Sequence, residues 1–508
     1  MRVLQIGRDD WSAAGGLGAR DEWVFVDAGD ESGFDAKLIG RIAVTVLDAP
    51  CELRLLEQLD AVISPYALLV ARELEVGFDD ETRRFLARKA ASFIDVSDRQ
   101  QVIAELPRKY FPKPFGQKLE IRRAQVSPFH TTGWSFEGNS YVVADVDRDE
   151  LRQLVLWREN IAYQSDRPLE LWPEYLKDEG CEIELCVQLI QSGSPDVITF
   201  QRNYTEAELA EPIIIDEPTS GYLACSVFAK GKGRVKVGPI HYRHTRFGAG
   251  QFVPGGQRLV DSNREELFYF FHPGNLEPPL NIYFAGYRPA EGFEGYFMME
   301  RFGHPFLLIS DPRLEGGRFY LGSSELEDLL LRTIRGLVRD LGFEEKDVIV
   351  SGLSMGSFGA LYYGSQLDAL AIIAGKPIVD LGYVAERGRL VRPGDFFTIF
   401  DIVNFWDRSD HGADEATPDA FTTHLVDRWN GEPGFGDTKI LLSYMEQDDY
   451  DDQAYYTLLN SQTGKPTSVI ARGYQGRHND DSASIVTWFV NQYTRTIEEY
   501  RGARNGTR

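Results

Sequence analysis

The stretch Val348-Ile349-Val350-Ser351-Gly352-Leu353-Ser354-Met355-Gly356-Ser357-Phe358-Gly359-Ala360 decides how this chain is read. Val348 to Val350 form a β-branched run suited to a buried strand, and Gly352 to Gly356 match G-x-S-x-G. Phe358, Ala360, Leu361 and Tyr362 then have the spacing of a packed helix. Strand, sharp turn, helix is the setting in which this pattern has chemical meaning. The turn forces the serine into a strained backbone conformation, and the flanking glycines let neighbouring backbones pass closely. A serine held there has its hydroxyl clear of the sheet edge, where it can attack a carbonyl. The competing interpretation is an ordinary Gly-Ser turn in which Ser354 caps the helix that follows.

From about residue 266 the sequence alternates strand and helix, which implies a parallel sheet covered on both faces. Leu280 to Ala285 reads as a strand ending at Gly286-Tyr287-Arg288, and Leu307-Leu308-Ile309 as the next. Glu325 to Leu341 reads as an amphipathic helix leading into the Val348 strand, with Leu326, Leu330, Ile334 and Leu337 on one face. Ala371 to Ala374, Lys439 to Tyr444 and Ser468 to Arg472 continue the sheet, and Ala483 to Tyr493 closes it as a helix. The expected class is α/β, with residues 266–508 an α/β-hydrolase domain.

A serine is a weak nucleophile without a base, and the base needs an acid to orient it. In α/β-hydrolases these follow in the order Ser, acid, His, at the carboxyl ends of strands. His478 lies in a strand-to-helix loop after Arg472 and is the expected base, whereas His411 and His424 fall in a long insertion. The acid lies in Met445-Glu446-Gln447-Asp448-Asp449. Glu446 is nearer the strand end and longer, Asp448 sits where a loop carboxylate usually does, and both stay open, with Asp449 behind them. The oxyanion needs two backbone donors. These point to Met355, and to Gly286 or Tyr287, with Arg288 placed to orient a substrate. No metal-ligating pattern accompanies the serine.

Upstream, residues 1–115 read as a further α/β domain. Val3 to Ile6, Trp23 to Val26, Ala61 to Ile63 and Ser92 to Val96 are short apolar runs suited to a parallel sheet, with a helix over Glu81 to Ala91. Ala14-Gly15-Gly16-Leu17-Gly18 lacks both G-x-G-x-x-G spacing and a P-loop lysine, so it reads as a flexible connection. Lys109 to Lys118, with Pro112 and Pro114, reads as a linker. Over 116–265 the pattern changes to period-two strands broken by Gly, Pro, Asn and Asp clusters, which suggests an antiparallel β-sandwich. Trp134, Trp172 and Tyr175 are aromatic faces on which a sugar ring could stack.

The net charge of −24 excludes general affinity for nucleic acid or anionic lipid headgroups, both of which need a basic surface. Four cysteines, Cys51, Cys181, Cys186 and Cys225, form no metal-spaced pairs and read as free thiols of a reducing compartment. Met1 to Ile6 runs straight into charged residues with nothing like a signal peptide, and no apolar run approaches the roughly 20 residues of a membrane span. The expected location is cytoplasmic, with attachment at the membrane periphery left open.

Several segments together are similar to one known family. Leu4-Gln5-Ile6-Gly7 with Asp10-Trp11-Ser12, Phe284 to Arg288 with Ala290 to Gly295, the Gly352–Gly356 elbow, and the region from Tyr444-Met445 to His478 resemble the second accessory secretory protein family of the bacterial accessory Sec system. That system exports serine-rich-repeat glycoprotein adhesins. The resemblance implies O-acetylation of N-acetylglucosamine on the adhesin through a Ser-acid-His triad, with a glutamate as acid, which favours Glu446. It also implies a part in export, alongside companion accessory proteins and a dedicated motor ATPase. No cofactor is expected; the acetyl donor, for example acetyl-CoA, would be a substrate. Two other readings stand beside this one: a non-catalytic export partner that binds adhesin glycan and translocase, and a plain carbohydrate or small-ester esterase.

Overall fold

The computed structural model describes the chain apart from residues 15–17, 19–20, 30–39, 315, 395–397, 409–417, 432–433, 463–466 and 507–508. Within helices it leaves aside the side chains of 389, 404–408, 418–422, 424 and 505–506. Three sheets follow one another along the sequence.

The first sheet has five parallel strands, in the spatial order Glu22–Asp27, Arg2–Gly7, Val44–Leu47, Leu68–Ala71 and Ser92–Ile94. One face packs Leu4, Ile6, Leu68 and Val70 against Leu55, Leu56 and Phe85. The other packs Val3, Val44 and Leu69 against Ile103 and Leu106. Ala61 to Ile63 is not a strand. It is a turn after the helix Leu53–Gln58, with the Val62 and Ile63 N–H groups donating to the Leu59 carbonyl. Ile63 is apolar because it packs into the core from that turn. The expected helix over Glu81 to Ala91 runs from Asp80 to Arg88, capped by the Asp79 carboxylate, which accepts from Thr82 N–H at 2.8 Å. Gly15, Gly16 and Leu17 of the glycine-rich segment lie outside the described residues.

Lys109 to Lys118 is pinned, not a free linker. Lys109 ends the helix Arg99–Lys109, and Tyr110 and Phe111 are buried. The Arg246 guanidinium lies over the Phe111 ring and donates to the carbonyls of Lys109 (2.8 Å) and Phe111 (3.0 Å). Gly116–Leu119 is already a strand of the second sheet.

That second sheet joins ten strands in one hydrogen-bonded array around the long strand Gly221–His244. On one edge this strand pairs with Cys181–Gln191 and then Leu169–Lys177; on the other it pairs with Tyr141–Trp157 and then Gly116–Leu119. All these pairings are antiparallel, and the strands share one apolar core. Trp172 and Tyr175 are not stacking platforms for sugar. Trp172 is buried with the guanidiniums of Arg258 and Arg264 packed on its ring, and Arg264 also covers Tyr175. Trp134 is exposed, edge-on to Phe136. All four cysteines are free, and Cys181, Cys186 and Cys225 are buried.

The third sheet has eight strands. In spatial order they are Gln257–Val260, Glu266–His272, Phe306–Ser310, Leu280–Phe284, Val348–Leu353, Ala371–Gly375, Lys439–Met445 and Ser468–Tyr474. The second, Glu266–His272, is antiparallel to both of its neighbours, and every other neighbouring pair is parallel. This is the strand order of an α/β-hydrolase. The sheet opens ahead of residue 266, because Gln257-Arg258-Leu259-Val260 gives little strand signal by itself. The helix Ser324–Asp340 covers one face with Leu326, Leu330 and Ile334, and starts on Ser323, whose hydroxyl accepts from Leu326 N–H at 3.1 Å. The helix Ser482–Gly506 covers the other with Trp488, Phe489 and Tyr493.

A buried ionic cluster joins the second and third sheets. His241 lies between Glu174 (2.8 Å) and Glu291 (2.6 Å), while Arg243 meets Glu291 at 2.5 Å and also bonds Glu266. No helix among the described residues is long and apolar enough to cross a membrane.

Candidate active site

Ser354 follows the strand Val348–Leu353 and precedes the helix Met355–Gly364. Its φ of 55° and ψ of −123° place a residue with a side chain where few go. The two glycines make this turn sterically open. A Cβ on Gly352 would come within 2.0 Å of the Gly356 carbonyl oxygen, and one on Gly356 within 2.1 Å of the Phe284 oxygen. Ser354 does not cap its helix, so the capping interpretation fails. Ser357 ties down the turn instead, donating to the Ser354 carbonyl at 2.5 Å.

The hydroxyl is therefore available, and Ser354 Oγ lies 2.8 Å from His478 Nε2, across 124 positions of sequence. His478 Nδ1 lies 2.8 Å from Asp448 Oδ2. The imidazole and this carboxylate are both buried. Asp448 Oδ1 accepts from the N–H groups of Tyr450 (2.9 Å) and Asp451 (3.3 Å), which fixes the carboxylate in its loop.

Glu446, favoured by the resemblance, does not reach the histidine. It is exposed, and its carboxylate is taken by the Gln475 side chain. The strand Lys439–Met445 ends just before it, and the turn closed by Asp448 N–H on the Met445 carbonyl carries residue 448 inward. Asp449 supports the loop from behind: it accepts from His478 N–H at 3.0 Å and pairs with Arg392 and Arg477. Burial opposes its charge, but those three donors outweigh burial and hold the Asp449 carboxyl below the usual range.

A cavity of about 540 Å³ opens on the serine. Met355, Gly286, Tyr287, Phe319, Lys376, Tyr450 and His478 are on its walls. Met355 N–H belongs to the first helical turn, where no helical acceptor exists. Gly286 N–H is not available as a donor: it is bonded to the Glu294 carboxylate at 2.7 Å. Arg288 is half-buried and does not line the cavity. Lys376 and Glu294 line it without having been expected. Lys376 had one signal, the Gly375-Lys376-Pro377 break at a strand end, while Glu294 enters only through the folding of the loop after Phe284. His411 lies outside the described residues, as does the side chain of His424.

Fold and site together define an α/β-hydrolase-type protein with a serine, histidine and aspartate in hydrogen-bonding order. Residues 1–502 match the family model described as accessory Sec system GspB-transporter, and the chain belongs to that family. It is 36% identical to an accessory Sec system protein, the second of its series, from Staphylococcus aureus strain NCTC 8325 / PS 47, over 99% of this chain and 97% of that one. It is 35% identical to the protein of the same name from Streptococcus gordonii, over 99% of each chain. A chain of the Glycosylation Associate Protein (Gap123) complex from Streptococcus agalactiae superposes with a TM-score of 0.87 at 34% identity, covering 98% of each chain.

Proposed function

We propose that this protein is a serine-dependent O-acetyltransferase that acetylates N-acetylglucosamine on serine-rich-repeat adhesins and supports their export. The observation that carries the catalytic part is the Ser354–His478–Asp448 relay at the mouth of a cavity. Family membership supports the export part, and the similarity to a chain of a multi-protein complex supports assembly with companion accessory proteins. The motor ATPase and the adhesin itself are the further partners, met on the cytoplasmic side.

In this reading His478 Nε2 takes the Ser354 proton as Oγ attacks the donor carbonyl. Asp448 holds the imidazole in the required tautomer and stabilises the imidazolium. Met355 N–H, with Tyr287 N–H in place of the occupied Gly286 donor, receives the oxyanion, each worth about 3 kcal/mol. The tetrahedral intermediate collapses, the donor's leaving group takes the proton from His478, and Ser354 carries the acetyl ester. A sugar hydroxyl then gives its proton to His478 and attacks that ester. The acetylated sugar departs and the proton returns to Ser354. Transfer in preference to hydrolysis requires a positioned acceptor and little free water.

The test compares purified wild type and Ser354→Ala on p-nitrophenyl acetate, and the acetyl content of adhesin glycan from cells carrying each. Loss of both signals is expected. Glycan acetylation unchanged in the variant overturns the transferase reading. Lost ester cleavage with unchanged glycan acetylation leaves the esterase, and export failure without any acetyl change points to the non-catalytic partner.

A further inference from the structure

Lys376 is a buried cation whose role in the relay is not accounted for. It follows the strand Ala371–Gly375, directly beside the elbow, where Ser354 N–H donates to the Gly375 carbonyl at 2.8 Å. Its backbone is left-handed at φ 50°, held by the Lys376 N–H on the Ser443 carbonyl at 2.8 Å. The residue is only 8% exposed, yet it lines the Ser354 cavity.

Its partners do not balance its charge. Nζ donates to the neutral Ser482 hydroxyl at 3.0 Å, and among the described residues no carboxylate forms an ion pair with it. The nearest influence, Asp448, is already committed to His478. Arg392, also on the cavity wall, differs in this respect, because Asp449 neutralises it. A desolvated ammonium without a counter-ion is costly, so such a group is retained where an anion completes it.

The surroundings suit an anion of one type. Ser482 begins the helix Ser482–Gly506, and Ser482, Ile485 and Val486 of its first turns line the same cavity. The positive end of this long helix lies at the cavity wall, with Ser484 N–H already taken by the Asp481 carboxylate, so a phosphate would meet the Ser482 hydroxyl beside Lys376 and the remaining field of the helix. The cavity of about 540 Å³ is far larger than an acetyl group requires, so it has room for the body of a donor. Glu294 lines the same cavity with its carboxylate bound to Gly286 N–H, so in a protein of net charge −24 the Lys376 ammonium is the point where an anionic ligand gains most.

We infer that the acyl donor carries a phosphate group, and that Lys376 pairs with it while the acyl carbonyl faces Ser354. This deepens the acetyltransferase reading and rests on it for turnover, but not for binding. Two donors share the chemistry, a nucleotide thioester such as acetyl-CoA and the acyl phosphate acetyl phosphate. In either case the acyl–sulfur or acyl–oxygen bond breaks as the Ser354 ester forms, and the leaving group departs with the proton from His478.

The binding arm uses the full chain as Ser354→Ala, titrated calorimetrically with coenzyme A and with inorganic phosphate, with and without Lys376→Gln. The turnover arm compares Lys376→Gln and Lys376→Arg with wild type on acetyl-CoA, acetyl phosphate and the uncharged p-nitrophenyl acetate. Lys376→Gln should weaken coenzyme A or phosphate binding about tenfold or more, the scale of one charge-assisted hydrogen bond. Its loss of kcat/KM on the matching phosphate-bearing donor should exceed its loss on p-nitrophenyl acetate by a similar factor, mainly through KM, with Lys376→Arg recovering much of it. The donor that shows the excess identifies the source. Equal losses on charged and uncharged donors, or unaltered binding of both probes, overturn the inference. If wild type cleaves no ester at all, the acetyltransferase reading falls, while Lys376-dependent binding still decides the anion site.

Discussion

His478 Nδ1 lies 2.8 Å from Asp448 Oδ2, whereas Glu446, two residues earlier on the same loop, faces solvent and Gln475. Which carboxylate meets the imidazole is thus decided by the side of a turn on which it falls. Asp448→Asn should lower kcat for ester cleavage about ten-thousand-fold, since the amide holds the wrong imidazole tautomer. Glu446→Gln should stay within about twofold of wild type, because the residue is exposed and away from the imidazole. Steady-state kinetics of both variants on p-nitrophenyl acetate check this, and comparable losses from the two would refute the assignment.

The elbow has no room for a methyl group. Gly356→Ala would put its Cβ about where the Phe284 carbonyl oxygen stands, 2.1 Å away and on rigid backbone. The expected result is destabilisation by about 3 kcal/mol, together with loss of esterase activity as the helix is pushed off the sheet. Chemical denaturation and the ester assay measure the two effects. A stable, active Gly356→Ala protein would contradict the close approach.

Asp401, on the helix Ile399–Arg408, is held by the second sheet. Its carboxylate accepts from Asn139 N–H (2.6 Å), Asn139 Nδ2 (2.9 Å) and Ser140 Oγ (3.3 Å). Asp401→Ala leaves those donors unmet and should cost about 2 kcal/mol. Faster proteolytic cleavage near this helix should accompany the loss. A cycle with Asn139→Ala should show non-additivity, since the two residues share their bonds.

Stability should depend on pH through the His241 cluster. Burial alone would lower the His241 pKa, but Glu291 and Glu174 outweigh burial and raise it to about 9. For Glu291, burial would raise the pKa, but Arg243 and His241 hold it down at about 2. The raised histidine contributes stability fully below its unfolded pKa of about 6.5 and loses it as pH climbs through about 9. The lowered glutamate contributes above its unfolded pKa of about 4.3 and loses it as pH falls through about 2. The joint contribution is therefore greatest between about pH 4.5 and 6.5. Urea unfolding across pH should show the alkaline decline in wild type and a flatter limb in His241→Gln. Identical limbs would mean that the cluster carries no such linkage.

Much of the hydrolase fold was legible because its signals are local. The Val348 strand, the glycines around Ser354 and the apolar face of Ser324–Asp340 each follow from neighbours a few residues apart. The first two strands of that sheet were not, since Gln257-Arg258-Leu259-Val260 becomes a strand only by pairing with Glu266–His272. Ala61 to Ile63 failed for the converse reason: three apolar residues in a row fit a turn that drops Ile63 into a core as well as they fit a strand. Trp172 had the composition of a sugar platform, and only the Arg258 and Arg264 guanidiniums packed on its ring take that surface away.

The sequence by itself singled out Ser354 and His478, because an elbow serine and a strand-to-helix histidine are written in short contiguous patterns. The tertiary structure alone decided that Asp448 and not Glu446 meets the histidine, that Glu294 occupies the Gly286 donor, and that Lys376 faces the cavity. The first and third depend on strands brought together from distant parts of the chain, and the second on how the loop after Phe284 folds back on itself. A carboxylate or ammonium carries the same charge wherever it is written, and only burial and partners settle what that charge does.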